Sequence, residues 1–86
     1  MTCRIDRLPT AQGLVLHISG RITQEDLNVL RNILEDSEVV AIELAELELI
    51  DREGVKLLAI HEAEGIELRN CPAYIREWIT RERSNK

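Results

Sequence analysis

Eighty-six residues suffice for one domain and are too few for two. The net charge of −5 speaks against nucleic acid, whose binding depends on neutralising phosphates, and no run approaches the roughly 20 apolar residues of a membrane span. With 12 Leu, 10 Ile and 5 Val but no Phe, the apolar residues suit buried strands under helices and offer few flat platforms for stacking a base, sugar or cofactor.

The first expected element is a short strand over Cys3 to Leu8, followed by a turn from Pro9 to Gly13. Gly13 to Gly20 then reads as a second strand, rich in branched residues, which closes a hairpin on the first. Thr23 is a good helix N-cap, and Asp26 three residues later approximates a capping box. Ile22 before the cap and Leu27 at the fourth helical position form a hydrophobic staple. Leu27, Leu30 and Leu34 repeat at helical spacing, with Arg31 and Glu35 on the wet side, and the helix should fade at Asp36 and Ser37.

Val39 to Leu44 is a nearly continuous apolar run, as expected of a central buried strand. Ala45 to Leu49 alternates Glu with Leu and fits either strand or extended loop. Asp51 caps the next helix, Ile50 and Val55 repeat the staple, and Gly65 ends it. Val55, Leu58, Ala59 and Ala63 should face the sheet. Ile66 to Arg69 is a brief strand. Asn70-Cys71-Pro72 opens a last helix with proline at its first position, where a missing N–H costs nothing. Ile75, Trp78 and Ile79 form its apolar stripe, and Arg81, Arg83 and Lys86 sit near the negative end of its dipole. Strands alternating with helices predict an α/β fold over residues 1–86: a small, mostly parallel mixed sheet of about four strands with three helices.

Catalytic machinery is not visible. His17 lies among apolar strand residues and His61 on the polar side of a helix, and neither has a partner at metal-ligand spacing, so no metal site is expected. Cys3 and Cys71 match no CxxC pattern and read as structural or incidental thiols, with a disulfide between them left open. The four glycines form no phosphate-binding motif, so no cofactor is expected and a nucleotide or small-ligand binder ranks low. The close pair Glu62 and Glu64 reads as surface charge. The opening residues contain no apolar run, so no signal peptide and a cytoplasmic location are expected.

One segment stands out. Ile50-Asp51-Arg52-Glu53-Gly54 places a cap, two opposite charges and a glycine in the first turn of a helix that follows a buried strand. Loops at strand C-termini are where open α/β sheets bind partners. Gly54 costs roughly 1 kcal/mol of helix propensity relative to Ala, so something must favour it, and close helix–sheet packing would suffice.

Taken with Leu16-His17-Ile18-Ser19-Gly20-Arg21-Ile22, Val39 to Leu44 and Ile66 to Pro72, that segment makes the chain resemble a STAS domain from about Gly13 to Trp78. This is the fold of bacterial anti-sigma factor antagonists and of sulfate-transporter tails. The resemblance implies a non-enzymatic protein-binding module that meets its partner through Ser19, Gly20 and Arg21 and through Asp51, Arg52, Glu53 and Gly54. The implied partner is an anti-sigma-type kinase-like protein. The alternative is a transporter component, with the chain as accessory subunit of a lipid or solute transport ATPase.

Two departures bear on function. The serine that the kinase phosphorylates in such proteins is replaced by Arg52, and the following hydroxyl position by Glu53, so no serine phosphoswitch is expected. STAS domains usually continue through another strand and helix, whereas this sequence ends after its last helix. An unpaired sheet edge is therefore expected, and with it association, with a partner or as a homo-oligomer, through the C-terminal half. Tyr74 and Trp78, the only aromatic residues, would form that surface. Charge adds to the expectation: residues 25–67 carry thirteen acidic and three basic side chains, between two mildly basic ends.

Overall fold

A computed structural model describes residues 3–36 and 38–84. Ser37 and Lys86, to which the sequence reading also assigned places, lie outside the described residues. The elements follow in the order β1 (Cys3–Thr10), β2 (Gly13–Arg21), α1 (Gln24–Asp36), β3 (Val39–Leu49), α2 (Arg52–Ala63), β4 (Glu67–Arg69) and α3 (Ala73–Ser84). The four strands lie side by side in sequence order, with β1–β2 antiparallel and β2–β3 and β3–β4 parallel. This is the small mixed α/β sheet with three helices that the sequence predicts.

Pro9 belongs to the first strand rather than to the turn and pairs with Leu14. It is tolerated there because β1 is an edge strand, whose outer side needs no N–H donor. The tight turn is held by the Thr10 hydroxyl, which donates to the Gly13 carbonyl at 2.7 Å.

The ambiguous stretch Ala45 to Leu49 continues β3, which runs to eleven residues. Leu14 to Arg21 lies against Val39 to Leu49, and the register shifts three times along the way. Each shift adds a residue to β3, so Val39, Ile42, Leu44 and Leu47 are all buried despite their uneven spacing. The bulges thus break the period of two that a strand shows in sequence.

One buried cluster unites the sheet with all three helices: Leu16, Ile18, Ile42 and Leu44 pack with Leu30 of α1, Val55 and Leu58 of α2, and Ile75 and Ile79 of α3. Ala63, expected to face the sheet, is exposed, and Leu57 is buried in addition. The alternate residues of the strands make the other face, where Asp6, His17, Glu43 and Arg69 form one row across all four strands.

The helix ends follow local chemistry. Asp26 of α1 accepts from the backbone N–H of Thr23 at 2.9 Å, which is one half of a capping box, while the Thr23 hydroxyl donates to the same carboxylate at 2.8 Å. At the end of α2 the Gly65 N–H donates to the Glu62 carbonyl and the Ile66 N–H to the His61 carbonyl. This is the Schellman arrangement, and the φ of +109° at Gly65 is open to glycine at little cost. Ile66 is spent on this cap, so β4 begins at Glu67. Pro72 lies one position before α3 rather than first within it, and its carbonyl accepts from the N–H groups of Ile75 and Arg76.

Candidate functional site

The parallel strands β2 and β3 end together. Arg21 pairs with Leu49, and the Ile22 N–H donates to the Leu49 carbonyl at 2.9 Å. Ile22 and Ile50, both buried, anchor the two chains as they leave the sheet for α1 and α2. The loops singled out by sequence are therefore neighbours at the C-terminal rim of the sheet. Asp51 caps α2 by accepting the Gly54 N–H at 2.9 Å.

Gly54 has a packing reason. A Cβ at this position would lie 2.5 Å from Ile50 Cγ1, 2.8 Å from Ile50 Cδ1 and 3.4 Å from Leu27 Cδ2. Only a bare α-carbon lets the first turn of α2 press onto these two side chains. Gly54 is buried accordingly, and its N–H is engaged by the cap, so it shapes the rim rather than presenting a contact.

The other candidates divide. Arg21, Asp51, Arg52 and Glu53 are exposed at the rim. Glu53 approaches Lys56 on its own helix at 3.6 Å, whereas Arg52 reaches Glu82 of α3 at 3.6 Å. Ser19 pairs with Arg4 of β1 and Glu46 of β3, in a row on the open sheet face, and Gly20 pairs with Cys3 and Leu47. The Ser19–Arg21 segment is thus split between that face and the rim.

Tyr74 and Trp78 lie one turn apart on α3. The Tyr74 hydroxyl donates to the Glu48 carbonyl at 2.5 Å while its ring stays half exposed. Trp78 is partly buried against the core. Its remaining surface lines a shallow groove of about 610 Å³ with Arg52, Arg81, Glu82 and Ser84. Arg52 at the start of α2 and Trp78 of α3 therefore share one groove. The sequence singled out both residues, but their meeting depends on how α2 and α3 pack.

Besides the buried Ile75 and Ile79, that packing uses Glu62, whose place in the sequence suggests only surface charge. Glu62 of α2 is four-fifths buried and accepts from Arg76 at 2.8 Å and from Arg83 at 3.2 Å, both on α3. The hydrogen bond from Arg76 holds its carboxyl below the usual range; burial opposes this, and the charges of both arginines reinforce it. The same bond pushes the Arg76 guanidinium up. No local spacing could have revealed this clamp, since its members are 14 and 21 residues apart.

Other titratable groups occupy structural settings. His61 Nδ1 lies 3.1 Å from Glu64 on the same helix. His17 Nε2 is buried and lies 3.2 Å from Glu46 Oε1 without hydrogen-bond geometry. Both cysteines are free thiols. Burial, aided by Asp26, pushes the Cys3 thiol up to about 11, and burial raises Cys71 as well. Among the described residues no three His, Cys, Asp or Glu side chains gather as metal ligands would, and no helix is long and apolar enough to cross a membrane.

No family model matches the chain, and no curated protein matches it.

Proposed function

We propose that the chain is a non-enzymatic, STAS-like protein-binding module of regulatory type that works in the cytoplasm without a serine phosphoswitch. The observation that carries this reading is the groove in which Arg52 and Trp78 meet, beside the joined ends of β2 and β3. A half-buried indole flanked by arginines is the kind of anchor that concentrates binding energy in protein interfaces. Arg52 stands where the resembled family carries its phosphoacceptor, so a permanent positive charge would replace a switchable negative one.

The partner is captured on the immobilised chain from its native host and identified by mass spectrometry. Trp78→Ala and Arg52→Glu, each checked for folding by circular dichroism, should both weaken capture of the same protein about tenfold or more. A kinase-like ATPase as that protein supports the regulatory reading, and a transport ATPase supports the accessory-subunit alternative. Undiminished capture by both variants would sink the groove as the binding surface.

A further inference from the structure

The two long sides of β3 are unequally used. Against β2 it is paired from Val39 to Leu49, but against β4 only Ala41 to Glu43 are paired. β4 is three residues long because Asn70, with φ of +52°, turns the chain away. The Asn70 amide then donates to both carboxylate oxygens of Glu43, at 3.0 Å each. Beyond this point, residues 44–49 present their outer side to no strand among those described.

Side chains occupy two of the backbone groups there. The Glu43 carboxylate accepts the Ala45 N–H at 3.1 Å, and Tyr74 donates to the Glu48 carbonyl. Among the described residues no strand covers this edge, and its flanks have a definite character. Leu49 and Tyr74 are two of the few large apolar side chains that are half exposed. Glu46 and Glu48 are exposed, the described ion pair of Glu46 is with His17, and no described ion pair neutralises Glu48.

We propose that residues 44–49 of β3 form a strand-addition site for an extended, lysine- or arginine-bearing segment of another protein. An added strand takes affinity from main-chain hydrogen bonds and specificity from alternate side chains. Here the incoming strand displaces Glu43 from Ala45 and Tyr74 from Glu48, sets its cations against Glu46 and Glu48, and lays its apolar residues by Leu49 and Tyr74. A second copy fits less well. Two β3 edges would bring like carboxylates together across the pair, which is destabilising. The outer edge of β1 is interrupted by Pro9, and its Arg4 is already neutralised by Asp6 at 3.1 Å. The edge lies beside the groove of Arg52 and Trp78 and does not depend on that groove's role.

The test uses an end-blocked peptide of alternating lysine and valine, titrated into the isotope-labelled full chain and followed by amide NMR shifts. Shifts should cluster at residues 44–49 and at Tyr74. Three controls should each bind about tenfold more weakly: a glutamate–valine peptide, a lysine–valine peptide N-methylated at every residue, and the original peptide on the double variant Glu46→Lys, Glu48→Lys. The N-methylated peptide keeps its charge but cannot form the ladder, so equal binding by it overturns strand addition. Shifts confined to other elements, no binding at about 1 mM peptide, or self-association of the free chain through residues 44–49 overturn the proposal too. Because this readout needs no partner and touches neither Arg52 nor Trp78, it can fail while the groove stands, and the reverse.

Discussion

Two neighbouring rows of side chains run across the same four strands, one residue apart, and they do opposite work. One row, Arg7, Leu16, Ile42 and Leu68, turns towards the helices, and its two central members are wholly buried. The next, Asp6, His17, Glu43 and Arg69, carries four ionisable groups on the open face. Because successive side chains of a strand alternate faces, a single backbone supports both. The difference teaches where energy and recognition reside. The inner row stabilises by removing apolar surface from water, which any well-fitting hydrocarbon does. The outer row contributes little by its charges, which are largely solvated. Its main structural service is that Glu43, through Asn70 and Ala45, marks where β4 stops and the free edge begins.

The sharpest way to break this comparison is to truncate neighbouring members of the two rows. Ile42→Ala should cost about 2–5 kcal/mol in urea denaturation, from lost transfer energy and the cavity left behind. Glu43→Ala, next to it in the chain, should cost only about 0.5–1.5 kcal/mol, the worth of exposed hydrogen bonds. Equal losses at the two positions would contradict the assignment of faces.

Glu62 refines the contrast, because it is a charged group placed in the helix layer rather than on the open face. Glu62→Gln should destabilise by about 1.5–3 kcal/mol at neutral pH, since it weakens charge-assisted bonds to both Arg76 and Arg83. Its carboxyl titrates below its ordinary 4.5 in the folded chain. Its contribution is therefore complete above that value and is lost as pH falls through the lowered one. The stability gap between wild type and Glu62→Gln should narrow on acidification below about pH 4.5, as followed by denaturation at stepped pH. A gap that stays constant would mean that the clamp is held by packing alone.

The smallest effect belongs to the outer row's histidine. His17→Ala should change stability by no more than about 0.5 kcal/mol, because the partly exposed ring makes no described hydrogen bond that the substitution would remove. A loss of several kcal/mol would show that the contact with Glu46 matters more than its geometry implies.

The legible part of this chain was local. The bond of Thr23 to Asp26, the cap at Asp51 and the terminator at Gly65 each rest on contacts within one or two helical turns, so residue spacing encodes them directly. The order of elements followed from these signals, and with it the α/β class. Gly54 also announced itself, since a glycine in the first turn of a helix needs a reason, although which residues supply that reason could not be read.

The tertiary structure decided the rest because it depends on contacts between residues far apart in the chain. The bulges of β3 arise from fitting eleven residues against a shorter stretch of β2, which hid the pattern of Ala45 to Leu49. The bond of Tyr74 to Glu48 spans 26 residues, and that of Asn70 to Glu43 spans 27. The groove of Arg52 and Trp78 exists because α3 packs on α2, through Ile75 and Ile79 in the core and through the Glu62 clamp. Side-chain chemistry at fixed spacing sets where a helix begins and ends. Which exposed groups then meet, and which strand edge stays open, is settled by packing, whose partners no local pattern names.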